Sequence, residues 1–236
     1  MHASSYGNLN LSIGMTDMGR VLVRHPDNKN LHLYYGTFFQ DYPVMVNHAP
    51  FIAEYLEEFT SLIHRAFRDH RRIFAMRFDL RFPRDADTLE FDRSVVSRFV
   101  DSLTWRLRSA RDRARATNPK AHKTMVHWCW VRERGIDGGA HYHFVLMLNN
   151  DSYHSTGRFA SAANNVFNRI QAAWASALRL DVEKVRGLVY IPRNSEFHLT
   201  MADQVELDRF FRRSSYLFKA ATKEYGRGGR SFGTSR

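Results

Sequence analysis

From Ile73 to Pro83 the chain alternates with a period of two. Phe74, Met76, Phe78, Leu80 and Phe82 fall on one parity, and Arg77, Asp79 and Arg81 fall on the other. Successive side chains of a strand point to opposite faces, so this run predicts a strand with one face in a core and the other carrying charge. Its apolar face needs a layer of helices to cover it.

The flanking segments supply that layer. Pro50 to about Arg68 carries Phe51, Ile52, Tyr55, Leu56, Phe59, Leu62 and Ile63 at helical spacing. Phe91 to Thr117 reads as a long helix, with Val95, Val96, Phe99, Val100, Leu103 and Leu107 on one side and Pro119 beyond its end. Met125 to Arg134 and Ala140 to Asn149 read as strands around the turn Gly135-Ile136-Asp137-Gly138-Gly139. Phe159 to Leu178 reads as a helix, and Val182 to Pro192, with an extension toward Thr200, as a fourth strand. Gln204 to Ala221 reads as a final helix before a Gly/Arg tail.

The order over 73–192 is β-α-β-β-α-β, which predicts an α+β, ferredoxin-like fold with an antiparallel sheet. In that arrangement the first and third strands are the central pair. Both helices take one face, and the other face is open for a ligand. An extra C-terminal helix follows.

Charge points to the partner. The formal net charge is +11 and the pI about 10.1 over 236 residues, a balance that favours a polyanion, most simply nucleic acid. The single cysteine, Cys129, excludes an internal disulfide and a cysteine-based zinc site. No apolar run reaches the length of a membrane span, and Met1 to Arg20 lacks an apolar signal core. A cytoplasmic location and no membrane partner are therefore expected. No G-x-x-x-x-G-K-[ST] loop is present, so no P-loop motor is expected and any unwinding must come from another protein.

His141-Tyr142-His143 lies in the third strand. Residues i and i+2 of a strand share a face, so both imidazoles can grip one metal ion. A His-x-His match is weak alone, and its context gives it weight. With the glycine-rich turn centred near Asp137, Glu133 falls opposite His141 and points the same way. Two imidazoles and a carboxylate suit Mn²⁺ or Mg²⁺. His127 shares the parity further along the sheet, as a supporting or structural residue. Asp79 is placed to orient a ligating imidazole through its far nitrogen, and Arg77 and Arg81 to hold phosphates.

Tyr216 and Lys219, at i and i+3 of the expected last helix, share a side. A phenol is a poor nucleophile unless a cation or metal favours the phenolate, and the lysine is placed for that. Tyr225 is the alternative nucleophile. Arg212, Arg213, Lys223, Arg227 and Arg230 form a basic cluster suited to a nucleic-acid backbone.

With these residues in view, the chain resembles the HUH endonucleases, which include rolling-circle replication initiators and relaxases. More closely it is similar to the inovirus gene-two-type family, also called the prophage YagK/YfjJ C-terminal family. The resemblance rests on Arg77-Phe78-Asp79-Leu80-Arg81-Phe82-Pro83, Trp130-Val131-Arg132-Glu133-Arg134, His141-Tyr142-His143, Ser215-Tyr216-Leu217-Phe218-Lys219 and Ser231-Phe232-Gly233-Thr234-Ser235-Arg236. Tyr142 departs from the more apolar residue usual between the histidines. The resemblance covers roughly residues 45–236, leaving 1–45 as a partly irregular N-terminal extension and 46–236 as the endonuclease domain.

The resemblance implies a ferredoxin-like palm and a tyrosine that nicks single-stranded DNA, or an origin hairpin, and keeps the 5′ end as a phosphotyrosine. An initiator of rolling-circle replication in a phage, prophage or satellite element is the first expectation, with a host helicase and polymerase as partners. A transposase or mobilisation relaxase shares the same chemistry. A non-catalytic single-strand or RNA-binding module would use the open sheet and need neither the histidine pair nor the tyrosine.

Overall fold

The computed structural model describes residues 23–83, 94–134, 139–157, 165–221, 223, 225 and 230–236. It is an α+β molecule built on a six-stranded antiparallel sheet. The strands are β6 (Arg72–Arg81), β7 (His127–Arg134), β8 (Ala140–Asn149), β9 (Val189–Tyr190), β10 (Glu196–Thr200) and β11 (Phe232–Thr234), in the order β10-β6-β8-β7-β11 with β9 also on β6. β6 and β8 are neighbours at the centre, as the sequence predicts for the first and third strands. Four short strands precede them: β1 (Val23–Arg24), β2 (His32–Tyr34), β3 (Phe38–Phe39) and β4 (Tyr42–Pro43). β5 (Phe51–Ile52) then leads into helix α1 (Ala53–Asp69).

The two sheet faces follow the parity of the strands. Phe74, Met76, Phe78 and Leu80 of β6 and Tyr142, Phe144, Leu146 and Leu148 of β8 pack beneath α2 (Val95–Thr117) and α3 (Val166–Leu178). The α2 residues in that core, Val95, Val96, Phe99, Val100, Leu103 and Leu107, are the stripe expected from spacing. Asn165 caps α3 by accepting from the Asn168 amide at 2.9 Å. The expected starts of these helices, at Phe91 and Phe159, lie outside the described residues.

The opposite face is not open, contrary to expectation. Ile73, Ala75, Cys129, Val131, Val145, Met147, Phe197 and Leu199 are buried there beneath α1 and α4 (Gln204–Ser215). Phe59 of α1 sits 5.6 Å from both Phe210 and Phe211 of α4, ring centre to ring centre. Leu33, Tyr34 and Val44 join the same core.

The C-terminal third departs from the sequence reading in three places. Val182–Val185 is a 3-10 turn rather than strand, and the longer partner of β6 is β10. Pro192 has no amide to offer a sheet ladder, and Asn194 adopts a left-handed φ of 52°, so the chain breaks between β9 and β10. The last helix ends at Ser215, not Ala221, and Tyr216–Phe218 form a 3-10 turn. Leu217 and Phe218 are both fully buried in that turn. Finally, the tail is structural. Phe232–Thr234 pairs with β7, and a Cβ on Gly233 would meet the Trp130 indole at 2.8 Å.

Among the described residues, no helix is long and apolar enough to cross a membrane.

Candidate metal centre and its tyrosine

The strand register builds the site. Glu133 of β7 lies opposite His141 of β8, and His141 lies opposite Arg81 of β6. In the next row Val131, His143 and Asp79 are neighbours. All share the face that carries α1 and α4. That face is apolar toward Met147 and Ala75 and polar toward the β7–β8 hairpin.

One ligand atom from each of Glu133, His141 and His143 falls within 4.8 Å of the others. His141 Nε2 and His143 Nε2 are 3.1 Å apart, and His143 Nε2 is 3.4 Å from Glu133 Oε2. His143 Nδ1 lies 2.6 Å from Asp79 Oδ1. An ionised carboxylate only accepts, so it holds the proton on Nδ1 and leaves the Nε2 lone pair facing the other two groups. Three convergent donors of this kind, one with its tautomer fixed from behind, fit a divalent cation.

Burial shapes the protonation of each group. Burial opposes the charged form of His143, but the hydrogen bonds and charges of Asp79 and Glu133 outweigh it and raise the pKa. Burial and the neighbouring His143 lower that of His141. Burial would lift Glu133, yet His143, Lys223 and Lys219 hold its carboxyl well below the usual range.

The tyrosine arrives from the other side. Lys219 Nζ donates to Glu133 Oε1 and Oε2 at 2.9 and 2.7 Å and sits 3.9 Å from the centre of the Tyr216 ring. The ring lies edge-on to His48 at 4.8 Å and to His143 at 6.5 Å. Lys219 also bridges to Phe51 of β5, which fastens this turn to the start of α1. Tyr216 and Lys219 therefore flank the triad from a 3-10 turn and its exit, not from a helix.

Other sequence candidates divide. Arg81 is exposed beside His141, its guanidinium 5.1 Å over the Tyr190 ring. Arg212 and Arg230 are exposed. Arg213 donates to the Arg193 carbonyl at 3.0 Å. Arg77 is not a free phosphate contact: it donates to the Arg213 carbonyl at 2.7 Å, and burial brings its pKa down to about 10. Lys223 is not on the surface either. Its wholly buried ammonium donates to Glu133 Oε1 and, at 2.7 Å, to the Leu217 carbonyl, with burial pulling its pKa to about 8. Arg227 lies outside the described residues.

His127 does not support the triad. Its Nε2 pairs with Asp69 Oδ2 at 2.8 Å, and its ring meets His70 edge-on. Tyr225 packs against His25, and burial together with Tyr55 pushes its phenol pKa up. Sequence reasoning missed His48, which is 168 residues from Tyr216 and announced by no local pattern. It also misplaced Lys223, although two lysines four apart after the tyrosine were visible.

The comparisons with known proteins agree on a family. The chain is 29% identical over 199 residues to the uncharacterised protein YagK of Escherichia coli (strain K12), covering 80% of this chain and 95% of that one. It is 27% identical over 198 residues to the uncharacterised protein YfjJ of the same organism, covering 78% and 95%. No solved structure matches. The model of the YagK/YfjJ C-terminal domain matches residues 35–235, so the chain belongs to that family.

Proposed function

We propose that this chain is an HUH-type endonuclease that nicks and rejoins single-stranded DNA through Tyr216, on a ferredoxin-like palm, to initiate rolling-circle replication of a mobile element. The observation that carries this reading is the meeting of Glu133, His141 and His143 with Lys219 and Tyr216 at one end of the sheet. The strand order β10-β6-β8-β7, with two helices returning over one face, supports the palm. The net charge of +11 supports the nucleic-acid partner.

Glu133, His141 and His143 would hold a divalent ion, Mn²⁺ or Mg²⁺, which when bound polarises a phosphodiester. Asp79 keeps His143 in the ligating tautomer. The Tyr216 oxygen attacks phosphorus, the bond from phosphorus to the 3′ oxygen breaks, and the proton leaving the phenol is balanced by the one gained at the 3′ oxygen. One phosphodiester is exchanged for another, so joining by the reverse attack needs no nucleotide. Lys219, beside both the ring and Glu133, offsets charge gathering at the phosphate. Arg81, exposed one strand from His141, is placed to take a neighbouring phosphate.

The packing of that face beneath α1 and α4 favours this reading over a binding module that lays a strand on an open sheet. The test is incubation with circular single-stranded DNA and Mn²⁺, followed by denaturing electrophoresis. The intact chain gives a protein–DNA adduct. Tyr216→Phe loses the adduct and the nick while retaining fold and DNA binding. An adduct formed by the phenylalanine variant overturns the assignment of Tyr216.

A further inference from the structure

Lys223 is the most deeply buried ammonium near the centre: none of its side chain is exposed in its contact with Glu133. A buried charge is tolerated only when paired and hydrogen-bonded. Its two acceptors are informative. One is Glu133 Oε1, on the carboxylate that faces the histidines. The other is the carbonyl of Leu217, the residue after Tyr216 and the middle of its 3-10 turn. A single side chain thus joins the β7 carboxylate to the backbone that carries the tyrosine. Lys219 grips the same carboxylate through both oxygens.

We propose that Lys223 is a positioning residue. It ties the Tyr216 turn to Glu133 and, as a built-in cation, competes with the metal for that carboxylate. This rests on the nicking function proposed above. The two halves carry opposite signs. Loss of the ammonium lets Glu133 bind a cation more tightly, because one positive charge leaves its shell. The same loss frees the Leu217 carbonyl, so Tyr216 is no longer held in register with the centre. A group that merely filled space would weaken both properties together, and a contact to the DNA backbone would change neither.

The test uses the full chain, with Lys223→Met to remove the charge and Lys223→Arg to keep it. Mn²⁺ titration calorimetry is expected to show binding at least about fivefold tighter in Lys223→Met, the effect of one unit charge a few ångströms away in bulk water, which burial enlarges. Lys223→Arg is expected to bind as the parent does. Hydrogen exchange across residues 214–221 is expected to speed up in Lys223→Met, with the α2–α3 side unchanged. At saturating Mn²⁺ the nicking rate falls, while affinity for single-stranded DNA stays the same.

Unchanged or weaker Mn²⁺ binding by a folded Lys223→Met overturns the proposal. So does weakened DNA affinity with unaltered metal binding and exchange, which would return Lys223 to the backbone track. If Lys223→Met does not fold, the arginine variant decides. Its larger head should keep metal affinity but slow nicking, and tighter metal binding there overturns the competition. Calorimetry and exchange read Lys223 even if the parent cuts no DNA, so failure of the nicking function and failure of this proposal are separable.

Discussion

Two buried histidines on one sheet face each lean on an aspartate, and only one of them belongs to a candidate centre. His127 pairs with Asp69 through Nε2 at 2.8 Å, and His143 pairs with Asp79 through Nδ1 at 2.6 Å. The difference lies at the other nitrogen. His143 turns Nε2 toward His141 and Glu133. The Nδ1 of His127 is buried without a hydrogen-bond partner. An imidazole–carboxylate pair is a common way to satisfy a buried ring. It supports a metal centre only where the second nitrogen meets other donors. The aspartates also come from different places: Asp79 from the adjacent strand in register with His143, Asp69 from the last residue of α1.

The largest separation between the two comes from deleting the rings. His143→Ala is expected to abolish detectable Mn²⁺ binding in calorimetry and, with it, nicking. His127→Ala should keep both and instead lose about 1–3 kcal/mol of folding stability in urea melts, because Asp69 loses its partner and a cavity is left. Persistent nicking by His143→Ala would break the comparison, and loss of Mn²⁺ binding in a folded His127→Ala would erase it.

A finer cut leaves the rings and changes only the carboxylates. Asp79→Asn keeps a hydrogen bond but no longer favours the ligating tautomer, so Mn²⁺ affinity should drop roughly 10- to 100-fold. Asp69→Asn should leave that affinity alone. Equal effects in the two titrations would mean that the carboxylate on His143 is no different in kind from the one on His127.

Parity made much of this legible. The run from Phe74 to Phe82 assigns Arg77, Asp79 and Arg81 to one face, and the hairpin spacing puts Glu133 across from His141, the register the strands adopt. Long-range packing was not legible. Residues 31–66 and 204–218 close the second face, but an amphipathic stripe does not state which surface it covers. Lys223 looked like a surface cation because lysine usually is one. Only the fold brings Glu133 close enough to make burial tolerable. The Gly/Arg composition of the tail gave no sign of an element, yet Phe232–Thr234 completes an edge of the sheet.

The smallest expected effect is also the most discriminating in sign. Burial lowers the pKa of His127 below its ordinary value despite Asp69, whereas Asp79 and Glu133 raise that of His143 despite burial. A lowered folded pKa means that the unfolded chain binds more protons. The His127 contribution is therefore complete above the ordinary value of about 6.5 and is lost as pH falls through the folded pKa. A raised folded pKa means the reverse. The His143 contribution is complete below about 6.5 and is lost as pH climbs through the raised value. In chelator, so that no cation competes with the proton, His127→Gln should flatten the acid side of the stability curve. His143→Gln should flatten the side above neutrality. Urea midpoints at a series of pH values between about 5 and 8 read both slopes. If the two glutamine variants change the same limb, the electrostatic distinction between these histidines is wrong, even if their metal chemistry differs.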